Sequence, residues 1–209
     1  MKLLGLALTL VVCLNAEDYR KPPKEVLDVL SAPRFPVPLL SPARTHLLLQ
    51  EMVRNPSIRD LSRPMLRLAG VRIDPASNGP HLVSYASGLI VKTIVGGSEK
   101  RVEGPAGAKI FGVEFSYDGK KIAFLNQTDS STDLWLVDVA TGKARKAEGI
   151  HVNASLVDAV VWMPDNSGVL VPLVPAARGV APATPVVPPA PRSRKRMAKP
   201  APPARIRTC

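Results

Sequence analysis

The chain has 209 residues, of which 45% are hydrophobic, so it is long enough to form one good core or two small ones. Its formal charge of +11 is concentrated after Asp165, where eight Lys or Arg residues and no acidic residue follow, so the rest of the chain carries only about +3. Aromatic residues make up 4% of the chain and none lies in this basic end, which argues against specific nucleic-acid binding.

The first sixteen residues have the pattern of an export signal. Lys2 gives a short positive start, Leu3 to Leu14 form an apolar run too short to span a bilayer, and Ala16 supplies a small residue before a cleavage point. We therefore predict a signal peptide over 1–16, an exported protein in the periplasm or outside the cell, and no transmembrane span in the mature chain. After cleavage Cys209 is the only cysteine, so packing rather than an intrachain disulfide must stabilise the fold.

Residues 17–38 contain the strongest helix pattern of the chain, within the sequence KPPKEVLDVLSAP. Two prolines suit the first turn, Glu25 favours the positive end of the helix dipole, and an apolar stripe follows. The stripe consists of Val26, Leu27, Val29 and Leu30. We predict a short helix that packs on the rim of a sheet, followed by a Pro-rich segment.

Three stretches of the following region share one pattern, in which a polar turn separates two β-prone runs. They are LLSPARTHLLLQ (Leu39–Gln50), FSYDGKKIAFLN (Phe115–Asn126) and VWMPDNSGVLVPL (Val161–Leu173). Aligned on Pro42, Tyr117 and Pro164, they lie 75 and 47 residues apart. The second spacing is close to the roughly 40 to 50 residues of a four-stranded propeller blade, and the first leaves room for an insertion.

Two further stretches read as hairpins between these copies. DLWLVDVATGKARKAEG (Asp133–Gly149) is a strand, a turn at Ala140–Lys143 and a returning strand. Leu66–Pro80 and Gly88–Gly104 are a less regular version, with turns at Asp74-Pro75 and Gly96-Gly97. We therefore predict an all-β fold: an incomplete β-propeller over 39–174, with about three blade equivalents of antiparallel four-stranded sheets that stack and share a core.

The residues able to carry chemistry are scattered. His46, His81 and His151 lie in separate segments without companions at metal-binding spacing, and Ser98 in VGGSEKR is a turn residue rather than a nucleophile. The glycines of GPAGAKIFG lack the context of a phosphate loop, and Asp129 and Asp133 belong to a polar loop expected to be solvated. We predict no catalytic, cofactor-binding or metal-binding residues, and no cofactor.

Several segments together resemble the amino-terminal region of the prolyl oligopeptidase family of serine peptidases, specifically its glutamyl endopeptidase-like branch. They are YRKPPKEVLDVLSAP, RPMLRLAGVRIDP, FSYDGKKIAFLN, LWLVDVATGKAR and WMPDNSGVLVPLVPAARG, which occur in order from about Tyr19 to Pro189. In that family a propeller covers a carboxy-terminal α/β-hydrolase domain with a Ser, Asp and His triad and admits short or unfolded peptides. No residue of this chain matches that triad, so no catalytic residue is carried over.

The resemblance implies peptides as ligands and the propeller portion of a secreted peptidase, inactive alone, as the function. Three blades cannot close a ring, so the open sheet edges are expected to pair with a hydrolase domain or with other copies. The alternative is a stand-alone propeller-like binding module that docks on a partner protein.

The tail over 175–209 is rich in Pro, Ala and Arg, which predicts disorder. Its composition is typical of GC-rich coding DNA read in a wrong frame, which gives the hypothesis of a truncated or frameshifted peptidase. As a further alternative, the tail binds an anionic surface.

Overall fold

The computed structural model describes residues 21–155 and 159–180. The predicted signal peptide and nearly all of the basic tail lie outside the described residues. The chain divides into two units, 1–175 and 176–209, and all the helices and strands described below lie in the first. In the second unit the described residues, 176–180, form turn and coil.

The first unit is an antiparallel all-β structure, which confirms the predicted fold class. A first module consists of four strands: β1 (Val37–Leu40), β2 (His46–Met52), β6 (Ala86–Thr93) and β7 (Glu99–Arg101), paired in that order. A second module has four more strands: β8 (Ile110–Phe115), β9 (Lys121–Gln127), β10 (Thr132–Asp138) and β11 (Ala144–Lys146). A third hairpin follows, β12 (Val161–Trp162) and β13 (Val169–Leu170).

The turns of the three aligned stretches have the same backbone geometry. The N–H groups of Ser41, Ser116 and Met163 donate to the carbonyls five residues later, at 2.9 Å in each case. The residue three positions after each of them has a positive φ: Arg44 at 56°, Gly119 at 70° and Asn166 at 59°. The sequence alignment on Pro42, Tyr117 and Pro164 is therefore correct to the residue, because these prolines and this tyrosine follow the equivalent turn residues.

The longer first spacing is explained by an insertion between β2 and β6, residues 53–85. It contains the short helix α2 (Ile58–Leu61) and a separate three-stranded sheet of β3 (Leu66–Leu68), β4 (Val71–Asp74) and β5 (Gly79–Pro80). The prediction that Leu66–Pro80 repeats the module is wrong, since these strands pair with one another and not with either module. The Gly88–Gly104 stretch supplies β6 and β7 as predicted.

Strand β9 lies between two apolar cores because its side chains alternate between the faces of the sheet. Ile122 and Phe124, both 0% exposed, pack with side chains of the first module. Ala123 and Leu125 point to the opposite face and pack with the region around Trp162 of the third hairpin. Successive repeats therefore stack face to face, as the propeller pattern predicts.

The helix predicted at the N-terminal end forms as α1 (Lys24–Ser31). None of its residues is buried: Val26 is 45% exposed and Val29 69%. The expectation that it packs on a sheet rim is therefore wrong within the described part of the chain. Its Lys24–Asp28 ion pair at 2.5 Å is an exposed contact that supports the helix only weakly.

Candidate functional site

The loop between β9 and β10, which the sequence analysis expects to be solvated, is attached to the insertion. Arg63 donates from Nη1 to the Asp129 carboxylate at 2.6 Å and from Nη2 to the Asp129 carbonyl at 2.7 Å. The buried Gln127 amide donates to Ser77 Oγ at 2.7 Å, and Thr132 Oγ1 donates to the Ser77 carbonyl at 2.9 Å. These contacts hold the loop against protein rather than presenting it to a ligand.

The two carboxylates of this loop have different surroundings. Asp129 is largely exposed and forms ion pairs with Arg59 and Arg63. Asp133 is only 4% exposed and pairs with Lys146 at 2.9 Å, a hydrogen bond that raises the pKa of Lys146. The expectation of a solvated carboxylate pair is therefore wrong for Asp133, because β11 places a cation beside it.

A polar cluster lies where the insertion meets the two modules, around the carboxylate of Asp60. Lys109 donates to its Oδ1, while Ser57 Oγ at 2.7 Å and Tyr85 OH at 3.1 Å donate to its Oδ2. Burial acts to raise the pKa of Asp60, but the hydrogen bonds from Lys109, Ser57 and Tyr85 outweigh it and lower the pKa to about 2. Burial and the bond to Asp60 raise the pKa of Tyr85. Asp60 is therefore an ionised structural carboxylate.

Arg63 and Asp74 form the second part of the polar cluster. Arg63 Nε donates to Asp74 Oδ2 at 2.7 Å, and their side chains are only 16% and 2% exposed. The hydrogen bond to Asp74 raises the pKa of Arg63. The cavity beside the cluster has a volume of about 10 Å³, which holds at most about one water molecule. The polar cluster therefore fastens the insertion to the modules and leaves no room for a substrate.

A larger cleft lies among the first strands of the three repeats, β1, β8 and β12. Its volume is about 360 Å³, and its walls combine the apolar side chains of Leu39, Leu40, Phe115, Val160 and Trp162 with about as much polar surface. The Trp162 indole N–H donates to the Glu114 carbonyl at 3.2 Å and fixes one wall. We call it the first-strand cleft. It is large enough for one or two side chains of an extended peptide.

A second cleft, the outer cleft, separates the second module from the third hairpin. It has a volume of about 550 Å³. Leu134 and Leu136 of β10 form its floor, Val169 of β13 one side, and Lys143 and Arg145 part of its rim. The outer cleft therefore combines an apolar sheet face with positive charge.

The other residues singled out in the sequence do not come together. His46 begins β2, with Nδ1 at 2.9 Å from Thr45 Oγ1. His81 lies beside the polar cluster, and its two ring nitrogens are buried without a hydrogen-bond partner among the described residues. Ser98 Oγ donates to Thr93 Oγ1 at 3.1 Å in the β6–β7 turn, which is the turn position predicted.

Within residues 21–155 and 159–180, no group of three or more His, Cys, Asp or Glu side chains is arranged to hold a metal ion. No described helix is long and apolar enough to cross a membrane.

Sequence reasoning missed the polar cluster and both clefts. The partners in the cluster, such as Asp60 and Lys109, lie far apart in the chain, so no local sequence pattern predicts their contact. The clefts arise only where one repeat meets the next. The repeat spacing was the available signal for such boundaries, but it does not say which boundary stays open.

Comparison with known proteins finds two curated plant relatives. A probable chloroplastic glutamyl endopeptidase of Oryza sativa subsp. japonica is 37% identical over 188 residues, which is 83% of this chain and 20% of that protein. A probable chloroplastic glutamyl endopeptidase of Arabidopsis thaliana is also 37% identical over 188 residues, 84% of this chain and 19% of the relative. The chain thus spans about a fifth of the length of these relatives. No protein-family model matches it.

Two solved structures have a backbone that is similar in part. One described as a dipeptidyl aminopeptidase IV of Bacteroides ovatus has a TM-score of 0.37 and 12% identity, covering 61% of this chain and 19% of that one. A structure from a study of two prolyl endopeptidases has a TM-score of 0.39 and 17% identity, covering 71% of this chain and 19% of that one.

Proposed function

We propose that this chain belongs to the glutamyl endopeptidase-like branch of the prolyl oligopeptidase family and is the non-catalytic propeller portion of an exported serine peptidase. The observation that carries the proposal is the 37% identity across 188 residues to glutamyl endopeptidases, of which the chain spans about a fifth. The described residues supply stacked β-modules and two open clefts rather than a set of hydrogen-bonded catalytic groups. The chain therefore contributes binding surface and leaves bond cleavage to a hydrolase domain.

In this proposal the modules limit which peptides reach the hydrolase. An extended peptide adds its backbone to a free strand edge and its side chains to adjoining pockets. The first-strand cleft offers both features, since β1 and β12 are edge strands among the described residues, and the volume of about 360 Å³, partly lined by apolar side chains, suits a side chain and not a folded domain. Peptides are accordingly the proposed ligands, and folded proteins are excluded.

The first test measures hydrolysis of a fluorogenic peptide with a glutamyl bond. The full chain is assayed alone and after mixing with the rice relative from which the matching region has been deleted. We expect no hydrolysis and no labelling by a serine-reactive fluorophosphonate for the chain alone. Hydrolysis is expected to rise with the concentration of the chain in the mixture.

The control for this assay is an Ile122→Asp variant, which places a charge in the fully buried core between the modules and should not restore activity. Hydrolysis by the purified chain alone, abolished by the fluorophosphonate, would show that the chain is itself an enzyme. Export is tested separately by sequencing the N-terminus of the secreted protein, which should begin at Glu17.

A further inference from the structure

The two complete modules show what normally covers the face that forms the outer cleft. In the first module Leu48 pairs with Val91, and Leu89 lies two residues before Val91 in β6. Val91 and Leu89 are 4% and 1% exposed because the second module covers them. In the alignment of the turns, Leu48 of β2 corresponds to Ala123 of β9. Because Ala123 pairs with Leu136, Leu136 is the equivalent of Val91. Leu134, two residues earlier in β10, is then the equivalent of Leu89.

The corresponding face of the second module is covered only in part. Leu134 is buried against the third hairpin, but Leu136 is half-buried and forms the floor of the outer cleft. In the first module, by contrast, side chains of β10 and β11 of the second module cover the face that contains Val91. The position that a third and a fourth strand of the next repeat would occupy is therefore open within the described part of the chain.

Each of the two modules has a basic residue at the equivalent position on the rim of this face. Lys100 pairs with Val91, and its Nζ donates to the Ala140 carbonyl in the β10–β11 turn of the neighbouring module at 2.5 Å. Its stem lies so close to Gly142 that a Cβ there would be 2.7 Å from Lys100 Cδ. Arg145 pairs with Leu136 and so corresponds to Lys100. Arg145 is exposed at the rim of the outer cleft, where the turn of a neighbouring hairpin would lie.

The backbone of the third hairpin supplies the matching edge. In the complete modules the second strand pairs on its outer side with a third strand, β2 with β6 and β9 with β10. Strand β13 pairs only with β12 among the described residues. The Met163 N–H donates to the Gly168 carbonyl, so the backbone groups of Gly168 point towards β12. The backbone groups of successive residues in a strand point to opposite sides, so those of Val169 point away from β12. Val169 itself lines the outer cleft.

We propose that the outer cleft binds a β-hairpin of the same type as β10–β11, presented by a second polypeptide. The first strand of this hairpin pairs with β13, its apolar face covers Leu136, and the carbonyls of its turn accept from Arg145. A glycine at the turn lets the backbone approach the Arg145 stem, as Gly142 does beside Lys100. The inference rests on the proposed function, in which the chain acts together with a hydrolase domain.

The basic tail of the chain is a poor occupant of this cleft. Residues 181–209 contain eight prolines, which have no N–H for a strand ladder. They carry seven Lys or Arg residues and no acid, whereas the cleft is lined by Lys121, Lys143 and Arg145 and by only one carboxylate, that of Asp138, so its charge disfavours a basic ligand.

The test uses a labelled synthetic peptide with the sequence of Thr132–Lys146, TDLWLVDVATGKARK, titrated with the full chain. We expect saturable binding, followed by fluorescence anisotropy. The variants Arg145→Glu and Leu136→Gln should each weaken binding about tenfold or more, as expected for losing a charge-assisted hydrogen bond or an apolar contact. The matched control is Arg72→Glu, an exposed residue of β4 in the insertion, which should bind within about twofold of the wild type. Circular dichroism melts confirm that each variant is folded.

Several results would overturn the inference. They are an absence of saturable binding, equal binding by the wild type and both cleft variants, and binding that appears only after deletion of 181–209, which would assign the cleft to the tail. Self-association of the wild type that Arg145→Glu abolishes would assign it to a second copy. If the hydrolase mixture gains activity while the hairpin peptide fails to bind, only this inference fails and the proposed function stands.

Discussion

Removing the Phe124 side chain tests whether the first and second modules share one core. Phe124 is 0% exposed and stacks on Trp135, with ring centroids 6.1 Å apart and an interplanar angle of 8°. It lies in the apolar cluster that contains Leu48, Leu89 and Val91 of the first module. Substitution of a buried Phe by Ala costs about 3 to 5 kcal/mol, through lost transfer free energy and the cavity left behind. We expect Phe124→Ala to lower the free energy of unfolding by about 4 kcal/mol.

The assay is urea unfolding followed by tryptophan fluorescence. With a slope of about 2 kcal/mol per molar urea, the loss lowers the midpoint by about 2 M. The matched control is Val95→Ala in the β6–β7 turn, where Val95 is 86% exposed, and it should change stability by less than about 0.5 kcal/mol. A loss below about 1 kcal/mol for Phe124→Ala would refute the shared core, because the modules would then be independent of this contact.

Three further predictions concern the polar cluster and the turns. The pKa of Asp60 in the folded protein, about 2, lies below its ordinary value of 3.8. Ionised Asp60 therefore stabilises the fold by about 2 kcal/mol above pH 4, and this stabilisation is lost as the pH falls towards 2. Urea midpoints at pH 5 and pH 3 should differ less in Asp60→Asn than in the wild type. Arg63→Met should lower the stability of the fold by about 3 kcal/mol or more, because it removes the ion-pair partner of buried Asp74. Arg59→Met, at the exposed pair with Asp129, should lower it by less than about 1 kcal/mol. Equal losses of stability in thermal melts would contradict this. Gly119→Ala should cost about 1 kcal/mol because of its φ of 70°, and an unchanged melting temperature would count against that strain.

The sequence predicts the local features of the fold well. The three aligned turns coincide in the structure because turn geometry depends on a few adjacent residues, such as Asp118, whose Oδ1 accepts from the Ser116 hydroxyl at 2.6 Å and from the Lys120 N–H at 3.1 Å. The two buried faces of β9 follow from its unbroken apolar run, Ile122 to Leu125, because successive side chains of a strand point to opposite faces. These signals lie within one strand or one hairpin, where a single chain segment contains all the necessary information.

Features that depend on distant contacts were predicted poorly. Leu66–Leu68 and Val71–Asp74 look like another piece of a module, but they pair only with each other and with β5 because the insertion forms its own sheet. The expectation of a solvated Asp133 failed because the pairing of β10 with β11 places Lys146 opposite Trp135, from where its Nζ reaches the Asp133 carboxylate. The apolar stripe of α1 predicts burial, yet the described residues provide no surface that covers it. In each case the sequence shows a strand, a loop or an apolar stripe but not which side chains lie against it in the fold.

In the proposed function, this chain is the part of a peptidase that selects substrates without cleaving them. The most direct measurement adds the full chain to the rice relative that lacks the matching region, and compares hydrolysis of a short glutamyl peptide with that of a folded protein carrying the same sequence. We expect the chain to restore peptide hydrolysis and to leave the folded protein intact. Restored cleavage of both substrates at similar rates, or peptide hydrolysis by this chain alone, would contradict the proposed function.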